Sequence, residues 1–169
     1  MLTSRKMTEE TEAIRALYER AFPENERREL GTLLKDTTGV SDFLAFYDEE
    51  RFVGFAALLT DRDISHIIYF AVEEALRGEG YGRRILDQIS ALKRGKRVIA
   101  DLELPDGRHE QRTRRMAFYK RNGFEETPVR YSWRGEDYVI LSRGGQITAA
   151  EFERFWNDIT EKEPGFAKY

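Results

Sequence analysis

The stretch Phe70-Ala-Val-Glu-Glu-Ala-Leu-Arg-Gly-Glu-Gly-Tyr-Gly-Arg-Arg84 constrains this chain more than any other. An apolar run from Ile64 to Val72 ends and a few residues turn. Gly78, Gly80 and Gly82 then alternate at the head of a helical pattern with Ile85, Leu86, Ile89 and Leu92 on one face. A strand that feeds a glycine-rich turn and then a helix leaves unpaired backbone amides at the positive end of the helix dipole. Such amides suit a phosphate or pyrophosphate, and glycine lets the anion reach the backbone without a side chain in the way. Arg77, Arg83 and Arg84 add full positive charge beside them. The P-loop pattern GxxxxGK[ST] is absent. A dinucleotide GxGxxG starting at Gly78 fails because Arg83 stands at its third glycine. What remains is Arg77-x-x-Gly80-x-Gly82.

The chain around this segment reads as one α/β domain spanning residues 1–169. Ile14, Leu17, Tyr18 and Ala21 predict a first helix over 8–21, ended by Phe22-Pro23, and a second short helix starting near Glu26. Strands are predicted at 43–47, 52–60 and 64–72. The near-continuous apolarity of the third places it centrally, buried on both faces. A strand follows over 97–104, then a charged helix ending at Asn122-Gly123, a hairpin of 130–133 with 138–141, and a final helix opened by the capping box Thr148 to Glu151. Its stripe of Phe152, Phe155, Trp156 and Ile159 is read as core.

Several function classes drop out. The formal net charge of −3 rests on 28 basic and 31 acidic residues, without the basic excess of a nucleic-acid binder. With no cysteine there is no disulfide, zinc-thiolate site or cysteine nucleophile. His66 and His109 lie far apart, so no metal site is expected. Neither a signal-peptide core nor a membrane-length apolar run is evident, which points to a cytoplasmic protein.

The glycine segment resembles motif A of the GNAT acetyltransferase superfamily, whose loop is similar to V-x-P-x-x-R-G-x-G-x-G. Ala117-Phe-Tyr-Lys-Arg-Asn-Gly-Phe124 resembles its motif B, A-x-x-F-Y-x-x-x-G-F, and the order of elements matches along nearly the whole chain. The resemblance implies a mixed, mostly antiparallel sheet flanked by helices, with acetyl-CoA as co-substrate and a primary amine as acceptor. It implies that Arg77, Gly78, Glu79, Gly80, Tyr81, Gly82 and Arg83 hold the pyrophosphate. Phe70, Ala71 and Val72 would lend backbone groups to the pantetheine arm, and Tyr119 would protonate the departing thiolate. The chain departs from the pattern at Glu74-Ala75, where the family often has proline. Arg112 and Arg115 stand where an asparagine and a small residue are usual. Ile68 occupies the place of a frequent carboxylate, which excludes a base there.

Alternation on the strand 97–104 puts Asp101 and Glu103 on one face. Glu103 is the candidate base, directly or through water, with an ion pair to an arginine as the competing reading. Arg112, Arg114 and Arg115 either meet the 3′-phosphate of coenzyme A or face solvent. The same alternation places His66 on the face of Phe70, as a satisfied buried histidine. The acidic residues between Phe22 and Arg28 either attract a cationic amine or form a solvated loop. A non-catalytic acyl-CoA sensor and an interaction module docking through Trp156 are the alternative functions. A homodimer is one option left open.

Overall fold

The computed structural model describes residues 1–36 and 38–166. Seven strands form one sheet: β1 (Leu2–Lys6), β2 (Ser41–Asp48), β3 (Arg51–Asp61), β4 (Ile64–Val72), β5 (Arg97–Glu103), β6 (Glu125–Trp133) and β7 (Glu136–Arg143). Their order is β1-β2-β3-β4-β5-β7-β6, and every neighbouring pair is antiparallel except β4 with β5. The central place expected for the strand over 64–72 is the one β4 takes.

Period-two alternation sorts the strand residues onto two cores. On one face α1 (Glu12–Ala21), α2 (Leu30–Leu34) and α5 (Ala149–Lys162) bury Leu17, Leu33, Phe155 and Trp156 against Phe43, Phe55, Ile99 and Ile140. On the other, α3 (Tyr81–Leu92) and α4 (Glu110–Arg121) bury Ile85, Ile89 and Met116 against Val98, Ala100, Leu102 and Val139. The stripe of Phe152, Phe155, Trp156 and Ile159 is buried, so it serves the core. Thr148 and Glu151 make the expected capping box. Arg134 and Gly135, both at positive φ, turn the final hairpin. Among the described residues, no helix is long and apolar enough to cross a membrane.

Two sequence expectations are corrected. The first helix starts at Glu12, not near residue 8, because Thr11 caps it by accepting the Ile14 amide at 3.2 Å. The segment before it pairs with β2 as an edge strand. Within that strand only Leu2 is buried, so no hydrophobic pattern announces it. The second helix does not start near Glu26. A 3₁₀ turn at Glu24–Glu26 and an extended stretch precede α2. Two tyrosine hydroxyls claim the backbone there: Tyr69 donates to the Glu26 carbonyl at 2.6 Å, and the Arg28 amide donates to Tyr18 at 2.8 Å.

Two irregularities of β4 build the opening used below. Ala57 pairs with Tyr69 and Leu58 with Ile67, so Ile68 is an extra residue in a β-bulge. Beside β5, pairing runs only over four residue pairs, from Ile64 with Arg97 to Ile67 with Ala100. Beyond them the two strands part, and β5 continues on β7 alone. The far end of β4 is held close to β3 at Gly54, where an added Cβ would stand 2.4 Å from the Ala71 carbonyl oxygen. Gly54→Ala is therefore expected to cost about 1–3 kcal/mol of stability by overpacking. A lower urea midpoint measures it; an unchanged midpoint would mean that the Ala71 backbone moves freely.

Candidate active site

The glycine loop leaves β4 through a 3₁₀ turn, Glu74–Leu76, and enters α3 at Gly80, which is in the left-handed conformation with no side-chain cap. The Arg77 amide is satisfied by the Glu74 carbonyl, and the next satisfied amide is that of Arg84, on the Gly80 carbonyl. Among the described residues, no protein acceptor meets the amides from Gly78 to Arg83. Gly78 and Gly80 both have φ of 84°, and a Cβ added at either would meet nothing within 4 Å. The loop thus presents donors to open space at a helix N-terminus. Arg77, Glu79 and Arg83 are exposed beside it, and among the described residues neither arginine is in an ion pair.

The other loop residues have distinct tasks. The Tyr81 side chain turns away from the opening. Its hydroxyl donates to Asp48 at 2.5 Å and accepts from Arg51 at 3.1 Å, pinning the head of α3 to the β2–β3 turn. Gly82 serves packing, since a Cβ there would come 3.0 Å from the Phe118 ring of α4. Phe118 in turn stacks on Phe70, with ring centroids 6.5 Å apart. Phe70 and Val72 pack on the α3–α4 face, and Ala71 faces the other core.

Tyr119 is 6% exposed, edge-on to Phe118 and Phe124. Among the described residues its hydroxyl has no hydrogen-bond partner. Burial pushes its pKa above the usual tyrosine value. Arg115 draws it down and Asp101 pushes it up, so the hydroxyl lies within reach of both. It keeps its proton at neutral pH.

Glu103 has two cationic partners, Arg112 at 2.5 Å and Arg115 at 3.7 Å. Arg112 also reaches Glu136 at 3.3 Å and the Leu104 carbonyl at 3.3 Å. Arg112 thus ties α4 to β5 and β7 through carboxylates, while Arg115 is exposed and reaches Glu103 alone among the described residues.

His66 does not share a face with Phe70, because the bulge at Ile68 reverses the alternation. It is fully buried among Phe152, Phe155 and Trp156, with Nε2 3.2 Å from Asp101. Tyr131 donates a short hydrogen bond to the other Asp101 oxygen. Burial alone would raise the Asp101 pKa; the His66 and Tyr131 hydrogen bonds more than offset it and hold the carboxyl below the usual range.

Across the β5 end lies a second group, formed by Glu26 and Tyr138, which sequence patterns do not single out. Tyr138 pairs with Glu103 in register and stacks on Tyr131 at 5.3 Å. Burial raises its pKa, and so do the charges of Glu26, Asp101, Glu103 and Glu136. Glu26 is raised by burial, then by Glu103, with Arg115 opposing. The β6–β7 turn closes over this side: Arg134 donates to the carbonyls of Asn25 and Arg27, each at 3.0 Å. A hollow of about 930 Å³ between α1 and α2 is lined by Arg15, Glu19 and Glu24 among others and includes neither the loop nor Tyr119.

A family model described as an acetyltransferase (GNAT) domain matches residues 40–126, from β2 through the start of β6. No curated protein matches the sequence. Among solved structures, a GNAT-family protein from Bacteroides thetaiotaomicron superposes with a TM-score of 0.75 at 22% identity, covering 92% of each chain. A GNAT family acetyltransferase from Elizabethkingia anophelis with acetyl-CoA bound gives 0.61 at 18% identity, over 84% of this chain and 97% of its own. The ribosomal-protein-S18-alanine N-acetyltransferase of Escherichia coli gives 0.61 at 17% identity, over 88% and 96%. These neighbours share the fold. The family model spans half of the chain, including the loop, the parted strands and Tyr119, and on that match the protein belongs to the GNAT acetyltransferase family.

Proposed function

We propose that the protein transfers an acetyl group from acetyl-CoA to a primary amine, directly and within a ternary complex. The observation that carries this reading is the run of unsatisfied amides from Gly78 to Arg83, opening beside the gap between β4 and β5. A diphosphate fits there by chemistry: the amides donate, the αL glycines leave room, and Arg77 and Arg83 supply charge. The parted rim of β4 offers Phe70, Ala71 and Val72 backbone groups to an amide-bearing arm. The E. anophelis neighbour, with acetyl-CoA bound, supports the choice of ligand.

In such a transfer a C–N bond forms as the thioester C–S bond breaks, and the acceptor ammonium gives up two protons. One must leave before attack, because only the neutral nitrogen is nucleophilic; the other balances the proton taken by the departing sulfur. Tyr119 is suited to protonating the sulfur, since it is buried, protonated and unpartnered. The first proton needs a carboxylate. Glu103 is the carboxylate that the sequence offers on β5, directly or through water, and it is held in ion pairs by Arg112 and Arg115. The chain has no cysteine to carry an acyl-cysteine intermediate, in keeping with direct transfer.

The test is thiol release from acetyl-CoA in the presence of primary amines, paired with calorimetric titration of acetyl-CoA alone. Amine-dependent release is expected. Binding without release on any amine would instead favour a sensor, and absence of binding would overturn both.

A further inference from the structure

The carboxylates around the β5 end are unequally occupied. Glu103 carries Arg112 and Arg115, Glu136 shares Arg112, and Asp101 accepts from His66 and Tyr131. Glu26 differs: among the described residues, its side chain has neither an ion pair nor a hydrogen bond, although it is half-buried and within electrostatic reach of the other three. Its backbone, by contrast, is fixed. Tyr69 of β4 donates to its carbonyl, and Arg134 of the β6–β7 turn holds the carbonyls on either side. A turn restrained from two elements fixes the Cα from which the Glu26 side chain projects.

A second polar group faces the same space. Tyr138 is 6% exposed, and its hydroxyl, which has no hydrogen-bond partner among the described residues, feels the charges of Glu26, Asp101, Glu103 and Glu136. A hydroxyl on a buried ring and a half-buried carboxylate, both left without protein partners among the described residues, leave hydrogen-bonding capacity for a ligand. The surplus negative charge selects a cation.

Resting on the transferase reading above, we infer that Glu26 is the residue that receives the acceptor. Its carboxylate pairs with a primary ammonium beside Tyr138 and takes the first proton, while Glu103 stays in its ion pairs with Arg112 and Arg115. The proton passes from nitrogen to the Glu26 oxygen and later to solvent. The second nitrogen proton balances the one that Tyr119 gives to the sulfur, so charge and protons close over the cycle. Burial and the carboxylates of Glu103, Asp101 and Glu136 raise the Glu26 pKa, Arg115 opposes, and Tyr138 is the neutral neighbour. A raised carboxylate pKa brings a base closer to neutrality.

The experiment compares wild type, Glu26→Gln and Glu103→Gln with three probes: tyramine, n-hexylamine and spermidine. It measures thiol release and, separately, calorimetric binding to the protein loaded with coenzyme A. Glutamine keeps the backbone contacts, so an unchanged Tm is expected. Glu26→Gln should lower kcat/KM about a hundredfold or more on any probe that wild type turns over, within the range for a general base. It should also weaken ammonium binding about tenfold and remove the acid limb of the kcat/KM profile, in which activity rises as Glu26 deprotonates. Glu103→Gln should keep that limb. Wild-type rate and binding in Glu26→Gln, with the loss falling on Glu103→Gln, would overturn the assignment while the transferase stands. Release unchanged but binding lost would overturn the proton-acceptor role. If no probe binds wild type, the amine site itself falls, whereas failure of acetyl-CoA to bind would fell the transferase reading instead.

Discussion

Gly80→Glu is expected to raise the Kd for acetyl-CoA at least about a hundredfold, equivalent to roughly 3 kcal/mol. Two effects add. Gly80 sits at φ 84°, where a residue with a Cβ pays roughly 1–2 kcal/mol. The new carboxylate would also extend into the open space before the Gly78–Arg83 amides, where a Cβ meets nothing within 4 Å. There it would occupy donors intended for an anion and repel a diphosphate. Gly80→Ala separates the two effects, since it keeps the strain without the charge and should cost about tenfold or less. Calorimetric titration reads both variants. Equal, undiminished affinity in both would place the pyrophosphate elsewhere.

Tyr119→Phe is the second large effect. Loss of a general acid removes about 10²–10⁴ in rate, so kcat should fall by at least about a hundredfold. The affinity for acetyl-CoA should stay the same. Stability should hold, because the hydroxyl that disappears has no protein hydrogen bond to lose among the described residues. That split, rate lost with binding and folding kept, distinguishes an acid from a packing residue between Phe118 and Phe124. Burial also keeps the wild-type tyrosine protonated beyond the ordinary tyrosine range, so the alkaline fall in kcat should begin above about pH 10. A Tyr119→Phe enzyme with wild-type kcat would assign the proton to water or another group.

Local patterns reveal what local physics decides. The glycine loop, the faces of β5, the capping box of α5 and the central position of β4 all follow from glycine spacing, alternation and apolar runs. What escapes is decided across the fold. β1 is an edge strand with one buried side chain, which leaves no periodic trace. The bulge at Ile68 shifts His66 to the opposite face, because period-two counting assumes that no residue is extra. The pairing of Glu103 with Arg112 and Arg115 joins a strand to the following helix. Glu26 comes within electrostatic reach of Tyr138 where Arg134 ties the last hairpin to the α1–α2 connection. The sequence marks the acidic stretch between Phe22 and Arg28, but nothing in it picks out Glu26.

The short seam between β4 and β5 has a mechanical consequence. Four residue pairs join the panel β1–β4 to the panel β5–β7, and beyond them the two rims face each other unbridged. On the proposed reading, acetyl-CoA would span those rims like a removable rung and belong to the sheet while bound. Folding and occupancy then form one linked equilibrium, in which ligand at a hundred times its Kd adds about 2.7 kcal/mol to the folded state. The melting temperature of the protein becomes a gauge of the acetyl-CoA around it.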